Sequence, residues 1–484
     1  MKNLKLFGLG IALIPLFLIA LSTNPLKAQG WQKTFDLGAQ RQQGISMTES
    51  PDGNYVLAGF TRDPVTPDNS QVFVLATNTD GELLWQKLID IQLAGEKWVS
   101  QIRKAKDNSG YYISGQQHSP NDTTIAFLVK TDLEGTLLSV FNIENLNRIN
   151  DFEETANGDL LLAGGVFDEN MAGLNHSIAK LVRIDPTGNL IWEKAYLYAE
   201  YFYDILPAGD GNYLLAGQSE SGQLPLVAQV AIAIKVDGLG DEIWNFAQNP
   251  DPYFNRSAEK IMINNEGHIL LAAFGFSASF NGTLVEVIDP EGSPVTTKYI
   301  QSDVGTKLDF TYCSQSDAIL TAGYQPGNNG PDLQLAQIDA DGSISWSTSS
   351  QLANDDRGHG IALTSDGSIL SVGYATEDNR ELVLLVKSEN TCEMATPTVE
   401  FPLSKASVSV SPNPAFQSTN FMVKTSLSPP FQLVVYDGQG VAVSKQQMQN
   451  NALEWSRGRL PSGMYYYQLF NDNQVVDRGK LLLK

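Results

Sequence analysis

The chain of 484 residues is longer than one hydrophobic core normally organises, so several domains, or a repeat array with an appendage, are expected. Hydrophobic residues make up 42% of it and charged residues 18%, a globular composition with few solvated charges. Lys and Arg number 32 against 54 Asp and Glu, a formal charge of −22; a field of that sign repels phosphate backbones and anionic lipid, which sets nucleic acid aside as a partner.

Residues 1–28 read as an export signal. Lys2 and Lys5 give a positive start, residues 6–21 the apolar stretch, and Leu26-Lys27-Ala28 a cleavage site before Gln29. A membrane anchor is the competing reading, but an apolar stretch interrupted by Gly8, Gly10 and Pro15 falls short of the roughly 20 residues that a spanning helix needs. The mature chain is therefore expected to carry no transmembrane segment. The two cysteines, Cys313 and Cys392, are too few for a disulfide framework and lack CxxC spacing, so no zinc site is implied. Both fall in the last two repeats, where a single bridge between them stays open.

Residues 29–392 repeat one pattern, clearest at 44–87. A short strand at 44–47 leads through the turn Ser50-Pro51-Asp52-Gly53 to the apolar run Tyr55-Val56-Leu57-Ala58-Gly59-Phe60. A polar loop, a second apolar run Val72-Phe73-Val74-Leu75, the turn Thr79-Asp80-Gly81-Glu82 and then Leu84-Trp85-Gln86-Lys87 complete a unit of four strands. Two landmarks carry this register along the chain at a spacing of roughly 50 residues. One is a small residue and a glycine closing the second strand, at Ala58-Gly59, Ser114-Gly115, Ala163-Gly164, Ala216-Gly217, Ala322-Gly323 and Val372-Gly373, with Ala272-Ala273 as the glycine-free copy. The other is the turn before the fourth strand, as at Asp80-Gly81, Glu134-Gly135 and Asp341-Gly342.

Short apolar runs bounded by such turns are strand and hairpin signals, and no 3.6-residue period is sustained in the repeats. A run such as Ile269-Leu270-Leu271-Ala272-Ala273-Phe274 suits a strand covered on both faces, and the recurring glycine marks a place where another backbone comes close. Trp85, Trp192, Trp244 and Trp346 follow turn glycines in the fourth strands, as seals between neighbouring units. The seventh unit has three strands and then Glu389-Asn390-Thr391-Cys392, without a turn or a tryptophan. Its missing strand stands at the other end of the chain, where Gly30-Trp31-Gln32-Lys33 echoes Leu84-Trp85-Gln86-Lys87. Closure by that strand leaves no free sheet edge. The whole pattern resembles an all-β, seven-bladed β-propeller closed by the N-terminal strand. In such a blade the second-to-third loops and the crossovers share one rim, and here that rim carries the long and varied loops, the expected functional face.

A linker at 393–404 leads to residues 405–484, whose short strands, broken by Pro429-Pro430, Asp437-Gly438 and Pro461-Ser462-Gly463, fit a small Ig-like β-sandwich. Val410-Ser411-Pro412-Asn413-Pro414, then Val434-Val435-Tyr436-Asp437-Gly438, then Leu460-Pro461-Ser462-Gly463-Met464-Tyr465 and the terminal Gly479-Lys480-Leu481-Leu482-Leu483-Lys484 follow in order. Together they resemble the C-terminal sorting domain of the type IX secretion system. The resemblance implies that residues 405–484 engage that machinery, that the protein crosses a bacterial outer membrane, and that it is then released or attached at the surface.

Chemistry is harder to find. His118, His176, His268 and His359 lie in separate repeats with no partner at metal-ligand spacing, and no G-x-S-x-G elbow, phosphate loop or dinucleotide fingerprint appears, so the sequence assigns no catalytic residue, metal or cofactor. Trp98, Tyr201, Tyr203 and Arg256 fall in crossovers or at the starts of inner strands on the variable rim, where rings beside polar groups suit contact with carbohydrate or protein. His359, near the start of an innermost strand, faces the central channel on the same reading. Ordinary channel packing competes with both assignments. Two functions are carried forward: an exported binding scaffold, or an extracellular hydrolase or lyase acting on polysaccharide or peptide at the channel mouth. A cluster of acids, His or Arg at that mouth separates them.

Overall fold

The computed structural model describes residues 30–392 and 406–484, apart from short stretches at 64, 67–69, 120–122, 169–175, 224–225, 249–254, 277–280, 302–305, 351, 353, 426, 438–441, 459 and 472–473. The expected export signal and linker lie outside the described residues. Two compact units divide the chain, Met1–Glu393 and Met394–Lys484.

All regular structure among the described residues is β. In the first unit it forms seven four-stranded antiparallel sheets. The first sheet is built from Arg41–Glu49, Tyr55–Arg62, Gln71–Thr77 and Leu83–Ile89 in sequence order. Five more follow the same meander, with first strands Glu96–Lys104, Arg148–Glu154, Tyr201–Pro207, Asn255–Ile263 and Thr306–Cys313. The seventh takes Asp356–Leu363, Ser368–Glu377 and Arg380–Thr391 from one end of the unit and Trp31–Phe35 from the other, with Trp31 opposite Lys387 and Phe35 opposite Val383. This is β-propeller architecture.

Burial explains the sequence pattern. The middle strands are covered on both faces, as in Tyr55–Arg62, where every residue but the last is buried, while the fourth strands are mostly exposed. Apolar clusters form between consecutive sheets. Val74 and Ile89 of the first pack with Ile102 and Phe127 of the second, and Leu370 and Val383 of the seventh pack with Leu57 and Phe73 of the first. The recurring glycine is required by contact: a Cβ on Gly59, Gly115, Gly164, Gly217 or Gly373 would overlap the main-chain carbonyl of Gln43, Trp98, Arg148, Tyr201 or Arg357 on the paired first strand.

The seals lie where the outer strands meet the turns. Gly81, at φ +76°, lies against the Trp31 ring; Gly135 lies against Trp85, Gly188 against Phe141, Gly240 against Trp192 and Gly292 against Trp244. These five turn glycines each meet an aromatic ring from the preceding sheet, with Trp31 holding that place for the seventh, while Gly342 meets the Lys298 side chain instead. The rings are half-buried. Cys313 and Cys392 are joined by a disulfide, with Cα atoms 5.7 Å apart, tying the sixth sheet to the end of the seventh.

The second unit is a β-sandwich. Ala406–Ser411, Ser418–Thr425 and Ala452–Ser456 form one sheet; Ala442–Met448, Phe431–Tyr436, Gly463–Asn471 and Gln474–Leu483 form the other. Phe421 and Trp455 from the first meet Leu433, Tyr467 and Leu481 from the second in one core.

Candidate functional site

Every first strand carries an extra residue at the same point. Its register against the second strand slips at Ile45, Ser100, Asn150, Tyr203, Glu259, Leu308 and His359, a β-bulge in each of the seven sheets. A bulge re-aims side chains and leaves ladder groups unpaired, and here the bulges face a common cavity of about 550 Å³ to which all seven first strands contribute.

The residue after each bulge forms a girdle around it. Ser46, Gln101, Asp151, Asp204, Lys260, Asp309 and Gly360 occupy this place in sheet order. Four of them reach the next sheet. Ser46 Oγ accepts from Ile102 N at 3.3 Å, Asp151 Oδ2 from Ile205 N at 3.3 Å, Asp204 Oδ2 from Ile261 N at 2.8 Å, and Asp309 Oδ2 from Ile361 N at 3.0 Å. Two bulge residues do the same from the donor side: Asn150 Nδ2 donates to Phe202 O at 2.7 Å, and His359 Nδ1 to Gly44 O at 3.1 Å. The girdle thus satisfies main-chain groups that the bulges free.

Its charges are paired. Arg103 forks onto Asp151, Nη2 to Oδ2 at 2.7 Å and Nε to Oδ1 at 3.2 Å. Lys260 Nζ lies 3.0 Å from Asp204 and 3.9 Å from Asp309. Asp151 and Asp204 also hydrogen-bond each other, so one must hold a proton. Burial opposes charge on both, but the Arg103 and Lys260 charges and the proton from Asp204 hold Asp151 below the usual carboxylate range. Asp204 is pushed up to about 7 by burial and the Asp151 charge, against the pull of Lys260. Burial likewise raises Asp309 and Glu259 and, with the Arg357 charge, lowers His359 to about 4, so the imidazole is neutral and Nδ1–H donates to Gly44.

Above the girdle the wall changes character. Trp98 lines the cavity with its ring 4.8 Å from Phe60 and the Arg62 guanidinium 5.7 Å from its centroid. Tyr203 lines it and donates to Gln218 Oε1 at 3.0 Å. Arg148, exposed, has no ion pair among the described residues and stands near Glu259. Asn150 is 8% exposed; with its amide on Phe202, its side-chain carbonyl is buried and has no partner among the described residues.

Of the residues singled out from sequence, Trp98, Tyr203 and His359 line this cavity. Tyr201 stands beside it, its ring 6.3 Å from Tyr203 and its hydroxyl accepting from Ser177 at 2.5 Å. Arg256 belongs to the strand Asn255–Ile263, opposite Gly275, but its side chain lies outside the described residues. Sequence reasoning missed Asn150, Asp151, Asp204, Glu259, Lys260 and Asp309. For Asp151, Asp204, Lys260 and Asp309 a signal was present, a charged residue immediately before the first strand's Ile or Phe at the same register in consecutive repeats; Asn150 and Glu259 stand one position earlier, without it.

A fold of repeated four-stranded sheets with a cavity where their first strands converge defines a β-propeller protein. Residues 409–484 match the family described as the secretion system C-terminal sorting domain, so the chain carries a type IX sorting domain and is exported, to the cell surface or beyond it. Among solved structures it is similar to the extracellular domain of a putative one-component system from B. thetaiotaomicron, at 11% identity and a TM-score of 0.41 over 92% of this chain and 56% of that one. It thus spans little more than half that neighbour's length. It is also similar to virginiamycin B lyase from Staphylococcus aureus, at 13% identity and TM-score 0.47 over 74% and 99% of the two chains. The β-propeller domain of the Trilobed protease from Pyrococcus furiosus aligns over the same shares at 12% identity and TM-score 0.41. No curated protein matches the sequence. No helix among the described residues is long and apolar enough to cross a membrane.

Proposed function

We propose that the chain is an exported, cell-surface or secreted binding protein, in which a closed seven-bladed propeller presents one ligand site at its channel mouth and an Ig-like tail engages the type IX machinery. One observation carries the binding site: the cavity of about 550 Å³ joins all seven first strands and sets the Trp98 and Tyr203 rings beside Glu259 and Arg148, the latter with no ion pair among the described residues. That volume suits a small ligand or the end of a chain. Most of the acids that could serve catalysis are already committed, since Asp151, Asp204 and Asp309 accept from neighbouring main chain and His359 is neutral and donates. Among the described acids that line the cavity, the hydrolase or lyase reading then rests on Glu259.

Gln116, on the strand next to Trp98, lines the mouth. A Gln116→Trp variant is expected to fill it and abolish capture on glycan and peptide arrays while leaving the thermal midpoint within about 2 °C of the parent. Undiminished capture by that variant would move the binding site elsewhere.

A further inference from the structure

The cavity wall from the second to the fifth sheet presents an assortment that specifies a ligand class. Asn150 fixes the wall at the third sheet: its amide donates to Phe202 O, and its side-chain carbonyl is closed off from the cavity. Glu259 adds a carboxyl on the next sheet but one, and Arg148 adds a forked donor above both. Trp98 and Tyr203 contribute rings, that of Trp98 tilted against Phe60 with the Arg62 guanidinium over it.

Charge sorts the candidates. A strongly anionic ligand meets the Glu259 carboxyl; a strongly cationic one meets Arg148 at the mouth and Lys260 in the floor. What suits both signs at once is a neutral molecule rich in hydroxyls, each able to donate to Glu259 and accept from Arg148, with C–H faces for the rings. Resting on the channel-mouth reading above, we infer that the ligand is a neutral saccharide, bound against the Trp98 ring and by hydroxyl hydrogen bonds to Glu259 and Arg148.

The test uses the purified full chain on an array holding neutral oligosaccharides, uronic-acid oligosaccharides, deacetylated amino-sugar oligosaccharides and peptides. Capture is expected on neutral oligosaccharides, with affinity reduced about tenfold by Glu259→Gln, as for loss of one charge-assisted hydrogen bond. Trp98→Phe, which keeps a ring and the fold, is expected to lower affinity less than Trp98→Ala. Capture confined to charged oligosaccharides or peptides, yet abolished by Gln116→Trp, overturns the saccharide class and leaves the channel mouth standing. No capture on any probe, or capture that none of these substitutions alters, overturns the channel-mouth reading itself.

Discussion

Asp204 keeps its proton to about pH 7, because burial disfavours its charge and the Asp151 carboxylate beside it is already ionised. The unfolded chain releases that proton near pH 4, so between about pH 4 and 7 the folded state binds the extra proton and this site makes stability fall as pH rises. Asp204→Asn keeps an acceptor for Ile261 N and a donor toward Asp151 without titrating. Between pH 5 and pH 8 the parent is expected to lose stability by on the order of 3 kcal/mol more than the variant, read by urea unfolding at both values. Identical losses in the two proteins would mean that position 204 carries no proton. His359 works in the opposite direction. Its folded value of about 4 lies below that of a free imidazole, so its contribution is lost as pH falls from about 6.5.

Among the elements, the N-terminal strand Trp31–Phe35 is short and half-exposed, yet it supplies the seventh sheet's outer edge and the ring that meets Gly81. Because the Trp31 ring is only half-buried, Trp31→Ala is expected to cost about 2 kcal/mol, below the figure for a fully buried aromatic, with the thermal midpoint as the readout. A midpoint equal to the parent's would separate that strand from the stability of the propeller. This element was legible in the sequence because it is a backbone fact written in residue types. The Trp-Gln-Lys echo gives the strand, the Asp-Gly turns give the hairpins, and Gly164 is a glycine because the Arg148 carbonyl leaves no room for more. The girdle was not legible in the same way. Asp151, Asp204, Lys260 and Asp309 look like solvated charges until a bulge one residue earlier turns them toward the next sheet, and a bulge leaves no residue type of its own, occurring here at Ile45, Ser100 and Glu259 alike.

At the scale of the whole molecule the two units have different tasks. The propeller's apolar clusters lie between its own consecutive sheets, and the sandwich has its own core. Removing residues 405–484 is therefore expected to leave a folded propeller that accumulates short of the outer membrane, as seen by fractionation with a protease-resistance check. Normal appearance outside the cell would refute a sorting role for the tail. One feature of the junction acts mechanically. Cys392 is the last described residue before the linker, and its bridge to Cys313 spans 79 residues of sequence, worth about 4.5 kcal/mol of loop-closure entropy in the chain-entropy treatment. Tension drawn on the tail arrives at that sulfur bond first and passes sideways into the sixth sheet. The rungs of Arg380–Thr391 are thereby spared being unzipped one at a time from their C-terminal end.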